Sequence, residues 1–153
     1  MSEADPIMTG IMAAQELANG GDRAGAREAF ARLWERTGPD GDPLHAVTIA
    51  HYMADVQDEP ADELDWDLRA LEAADSLTDE RAQRHHSSLQ VAGFYPSLHL
   101  NLAADYAKLG QDDRARAHLE RAEACVSTLS DDGYGATVRG GIARLRERLS
   151  QAG

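Results

Sequence analysis

Proline and glycine cut this 153-residue chain into short stretches, and within nearly every stretch the apolar residues recur three or four positions apart. That spacing lines one face of a helix. A half-buried strand needs strict alternation instead, and no stretch alternates for any length. The breaks also carry helix-start chemistry. Asp5-Pro6, Asp42-Pro43 and Glu59-Pro60 each set an acidic residue before a proline at the first helical position, where the missing N–H is not needed. Asn19-Gly20-Gly21-Asp22 and Gly110-Gln111-Asp112 read as tight turns. The expected fold class is therefore all-α, built from antiparallel helical hairpins.

The pattern predicts helices at about 7–18, 23–36, 43–56, 60–76, 79–92, 96–109, 113–129 and 136–150. The second has an apolar face of Ala26, Ala29, Phe30, Leu33 and Trp34, and the third one of Val47, Ala50, Met53 and Ala54. In the fourth, the expected buried stripe is Leu64, Leu68, Leu71 and Ala74, widened by Ala70 and Ala73, with Asp65 and Arg69 an ion pair on the other side. Pro96 forces a break near Tyr95. The last helix carries Val138, Ile142, Leu145 and Leu149, and its Gly140-Gly141 pair suggests a close helix approach.

Net charge is −12, and residues 40–80 hold thirteen carboxylates against one cation, Arg69, so this segment carries the whole excess. Such a surface repels phosphate backbones and argues against direct nucleic-acid binding, while favouring a basic partner or a basic segment of the same chain. One cysteine, Cys125, excludes a disulfide within the chain and fits a reducing compartment. The N-terminus lacks a signal-peptide pattern and no apolar run is long enough to cross a bilayer, so the expected location is the cytoplasm, off the membrane.

Residues 96–129, PSLHLNLAADYAKLGQDDRARAHLERAEACVSTL, resemble a tetratricopeptide repeat (TPR). Leu102, Ala103 and Tyr106 stand at its first-helix packing positions, Gly110 at its turn, and Ala115, Leu119 and Ala122 at the small–large–small positions of its second helix. The template also fits residues 7–36 through Ala14, Leu17, Gly21, Ala26, Phe30 and Leu33. In 43–76 it matches Ala50, Met53 and Trp66. There Gln57 replaces the turn glycine, and Asp62 and Arg69 fall at small positions, which implies a second helix rotated or shifted in register. Ala14 to Ala50 spans 36 residues, but Ala50 to Ala103 spans 53, leaving 77–95 as an inserted segment.

The resemblance implies one domain over 1–153: a short right-handed superhelix of hairpins with the helix at 136–150 as C-terminal cap. It implies a non-catalytic scaffold that binds a protein or peptide on the concave face formed by the first helix of each hairpin. Carried over, that face holds Met8, Ile11, Met12 and Gln15, then Val47, Thr48, His51 and Asp55, then Ser97, Leu100, Asn101, Ala104 and Lys108. The polar members, Gln15, Thr48, His51, Asp55, Ser97, Asn101 and Lys108, are the candidate partner-binding residues. Lys108 is the only lysine, so the cation cluster of a carboxylate clamp is missing, and a basic or amphipathic helix is the better guest.

Catalytic chemistry has no anchor in the sequence. There is no GxSxG, no GxGxxG and no phosphate-cradling loop, and the carboxylates of 58–80 lack the contrasting environments that an acid–base pair needs. Six histidines are present, yet neither HExxH nor ExxH occurs, so no metal site and no cofactor are expected. Two other readings stand beside the scaffold. One is a small-molecule or metal-responsive binding protein using a pocket around His51, Asp55 and Asn101. The other is a self-associating structural module, such as a homodimer.

Overall fold

The computed structural model describes residues 5–37, 41–85, 91–129 and 132–152. Among them are eight α-helices, two short 3-10 helices and no strand, as the apolar spacing predicts. No helix among the described residues is long and apolar enough to cross a membrane. The chain forms two compact units, Met1–Ser76 and Leu77–Gly153.

The first unit contains α1 (Pro6–Asn19), α2 (Arg23–Thr37), α3 (Pro43–Asp55) and α4 (Pro60–Asp75). Asp5 caps α1: its Oδ1 accepts from the Ile7 and Met8 amides at 3.0 and 3.2 Å. Asp42 does the same for α3 through the Leu44 amide at 3.0 Å. The end of α1 is a Schellman turn, with the Asp22 amide donating to Leu17 O at 2.9 Å and the Gly21 amide to Ala18 O at 3.0 Å. Gly21 takes φ +93° there, a backbone that suits glycine. α1 packs on α2 and α3, α2 on α3, and α3 on α4. The core is Ile11, Ala14, Ala26, Phe30, Leu33, Ile49, Met53 and Val56. Phe30 is fully buried and lies against Tyr52 with ring centroids 6.1 Å apart. Burial of such a ring stabilises the unit by about 1.5–3 kcal/mol.

The corner after α3 lacks a left-handed residue, because Gln57 stands where the other hairpins have glycine. The exposed carbonyls at this helix end are met from α2 instead. Arg23 donates to Asp55 O and Gln57 O at 3.2 and 2.9 Å, and Arg27 to Val56 O at 2.8 Å. Both guanidiniums also reach the Asp58 carboxylate, at 3.3 and 2.9 Å. They hold that carboxyl below its ordinary value, Arg27 more than Arg23. A basic segment of the same chain thus meets part of the acidic stretch.

In α4 the alanines of the expected stripe, Ala70 and Ala74, are buried, but its leucines are not fully covered. Leu68 is 38% exposed, Leu64 and Leu71 are half-buried, and the fully covered residues are Asp67, Ala70 and Ala74. Relative to the repeat template the small position moves one residue, from exposed Arg69 to buried Ala70. Alanine lets α4 lie close along α3, which a leucine face would prevent. Arg69 turns its guanidinium over the Trp66 ring at 4.2 Å rather than toward Asp65. Trp66 in turn meets Trp34 edge-on at 5.2 Å.

The second unit contains α5 (Asp79–His85), α6 (Tyr95–Lys108), α7 (Asp112–Ala124) and α8 (Gly133–Ala152), with 3-10 turns at Val91–Phe94 and Val126–Thr128. The helix expected over 79–92 ends at His85 in the described residues, and 86–90 lie outside them. The break at Pro96 falls as expected: α6 starts at Tyr95 with the proline in its first turn. α7 stops at Ala124, five residues short of the expectation, because Thr128 turns its hydroxyl back onto Cys125 O at 2.7 Å in a low-propensity stretch. Leu102, Ala103, Ala115, Leu119 and Ala122 are all buried between α6 and α7. Gly110 closes this hairpin with φ +75° and the same Schellman bonds, Gln111 N–H to Tyr106 O and Gly110 N–H to Ala107 O. α8 packs on both helices through Val138, Ile142, Leu145 and Leu149. A Cβ on Gly141 would stand 2.8 Å from Leu100 Cδ2, so the close approach expected at the glycine pair occurs at Gly141. Arg146 grips Glu123, and Arg116 and Arg139 donate to Leu149 O and Leu129 O at 3.1 and 3.2 Å.

Candidate functional site

Four of the seven candidate residues lie in the first unit and three in the second. In the first, Gln15 sits on α1 and Thr48, His51 and Asp55 on α3, the helix against which α1 packs. Gln15 donates to Asn19 Oδ1 at 3.2 Å, while its own Oε1 is buried and accepts no hydrogen bond. Thr48 donates to Leu44 O at 2.7 Å, His51 lies tilted 5.5 Å from the Tyr52 ring, and Asp55 is exposed at the end of α3. Of the apolar residues assigned to the same face, Ile11 and Val47 belong to the core, whereas Met12 is 66% exposed. The starts of α1 and α3 are tied together: His45 Nε2 lies 2.6 Å from Asp5 Oδ2 and 3.9 Å from Asp42 Oδ2. Burial pushes the Asp5 carboxyl up, but the His45 ring and the Met8 and Ile7 amides outweigh it and hold it below 3.8.

In the second unit, Ser97, Asn101 and Lys108 all lie on α6. Ser97 Oγ donates to Phe94 O at 3.2 Å and accepts from Tyr134 OH at 2.8 Å. Asn101 is half-buried and Lys108 is exposed in the last turn.

The same unit holds an arrangement that the sequence reading did not single out. His99 Nδ1 of α6 and His118 Nδ1 of α7 are 3.1 Å apart. Tyr95 flanks His99 at 6.1 Å and Tyr106 flanks His118 at 5.5 Å, so two imidazoles stand in a row between two phenols. Burial, then the His99 and Arg121 charges, push His118 from 6.5 down to about 4. At neutral pH it is therefore uncharged, and one ring of the pair donates an N–H while the other accepts. Part of the signal was in the spacing: Tyr95, His99, Leu102 and Tyr106 recur at helical intervals along one face of α6. The partner histidine comes from a different helix, whose rotation one sequence does not disclose.

Tyr95 and His99 also border an open cavity of about 580 Å³, with Arg121 of α7, Cys125 just past its end, and Leu77 and Asp79 from the preceding segment. Its volume falls within the range of small-molecule sites. Burial raises the Cys125 thiol above its ordinary 9.0, and its Sγ–H donates to Arg121 O at 3.1 Å. This is a protonated, satisfied thiol rather than an activated nucleophile. No protein-family model, no curated protein and no solved structure matches the chain.

Proposed function

We propose that the chain is a TPR-like, non-catalytic scaffold of the cytoplasm that binds a protein or peptide along the α1–α3 face of its first unit. The observation that carries this reading is the packing order there: α3 lies against both α1 and α2, so the first helices of successive hairpins are neighbours. Further support comes from the two glycine-closed hairpins, whose small–large positions Ala26, Phe30, Ala115, Leu119 and Ala122 are all buried. On α1, Met8, Met12 and Gln15 share one side, as do Thr48, His51 and Asp55 on α3. Exposed Met12 on α1 offers an adaptable apolar contact and exposed Asp55 ends α3 with a carboxylate, features suited to a basic amphipathic helix.

The test is affinity capture from source cells, comparing the wild-type chain with a Met12→Glu, His51→Ala variant of unchanged helicity. Partners captured by the wild type and lost by the variant support the reading. An identical set of partners removes this face from it. The cavity beside His99 favours a second reading, a small-ligand binding protein, which a thermal-shift screen against metabolites addresses because a ligand specific to the folded state raises its stability.

A further inference from the structure

Two imidazole nitrogens of different helices face each other at 3.1 Å, held from both sides by aromatic rings. A tetrahedral zinc ion with Zn–N bonds of about 2.0–2.1 Å keeps two nitrogen ligands about 3.3 Å apart. The pair therefore already stands close to the edge of a tetrahedral coordination shell, within a small pivot of either ring. We propose that His99 and His118 form the protein half of a binding site for a borderline divalent transition metal such as zinc, its remaining positions filled by water or a small ligand.

Three features favour this. First, the two nitrogens come from α6 and α7 and already lie 3.1 Å apart, so the packing of the helices itself brings the ligand pair together. Second, the ring planes are only 24° apart, and Tyr95 and Tyr106 pack against the outer sides of the rings, which limits how far either nitrogen strays. Third, the proton balance closes. In the metal-free pair one ring donates from Nδ1. For both Nδ1 atoms to coordinate, that ring moves its proton to Nε2, and any further proton carried by His99 is released to solvent. Cys125 on the wall of the cavity that His99 borders adds no thiolate, because its proton is held. Arg121 opposes the incoming cation, but its side chain is exposed and its field is screened by solvent and salt. The proposal is independent of the scaffold reading, which uses the first unit.

Zinc chloride titrated calorimetrically into the 153-residue chain at neutral pH should give a saturable site of one ion per chain. His99→Gln and His118→Gln should each weaken it by about 100-fold or more, since loss of a direct ligand exceeds the roughly 10–100-fold cost of a lost supporting contact. A second measurement needs no variant. In the wild-type imidazole nitrogen NMR spectrum, zinc should shift the Nδ1 signals of His99 and His118 and leave those of His45 and His51 in place. Absence of saturable binding would overturn the proposal. So would equal affinity in both variants, or shifts confined to the other histidines.

Discussion

Gly110→Ala isolates the cost of one backbone angle. Gly110 holds φ +75° at the end of α6, and a Cβ built there meets nothing within 4 Å. The side chain would neither clash nor pack, so the effect is conformational. Left-handed geometry costs an L-residue about 1–2 kcal/mol. The stiffer unfolded chain of alanine offsets about 0.4–1 kcal/mol of that. The net loss should be about 1 kcal/mol, or a midpoint lower by about 4–8 °C in a unit of this size. Urea titration and thermal melts followed by far-ultraviolet circular dichroism measure it. Gly133→Ala is the control, since its Cβ also meets open space but its φ is not positive; that variant should match wild type or exceed it by up to about 1 kcal/mol. Asparagine at 110 should recover part of the loss, because it tolerates the left-handed region better than alanine. If alanine at 110 proves no more harmful than alanine at 133, the Schellman reading of this turn is wrong.

Three further outcomes are expected. Phe30→Ala should cost about 3–5 kcal/mol in urea unfolding, because the ring is fully buried in the core of the first unit. Arg27→Ala should destabilise more than Asp58→Ala in the same assay, since removing the arginine also strips Val56 O of its donor while the carboxylate is largely exposed. Acidification should weaken the fold between pH 6.5 and about 4 through His118, whose folded-state value is depressed. In that window the unfolded chain binds a proton that the folded chain refuses, so stability rises with pH, and His118→Gln should flatten the slope in pH-dependent melts.

Much of the fold was legible because its signals are local. Asp5-Pro6 and Asp42-Pro43 cap the helices they announce, and the stripe Val138, Ile142, Leu145 and Leu149 is buried as its spacing requires. In α4 the alanine part of the expected stripe, Ala70 and Ala74, is covered, where small side chains permit close approach to α3, whereas the leucines that are the stronger apolar signal are not fully buried. Arg69 shows the same limit: its i, i−4 carboxylate was visible in the sequence, but the neighbouring Trp66 ring holds the guanidinium. The histidine pair stayed hidden for a geometric reason. Residues nineteen positions apart meet only if two helices have a particular rotation about their axes, and that rotation is set by packing.

The arginine-held corner after α3 bears on the order in which the first unit assembles. Turns built on Gly21 and Gly110 carry their own conformational instructions and close without outside help. The corner at Gln57 borrows donors for three of its carbonyls, those of Asp55, Val56 and Gln57, from a helix made earlier in the chain. Its hairpin therefore closes partly on contacts with α2. During synthesis the leading hairpin emerges first, with Arg23 and Arg27 in place as a template on which the following pair of helices can settle.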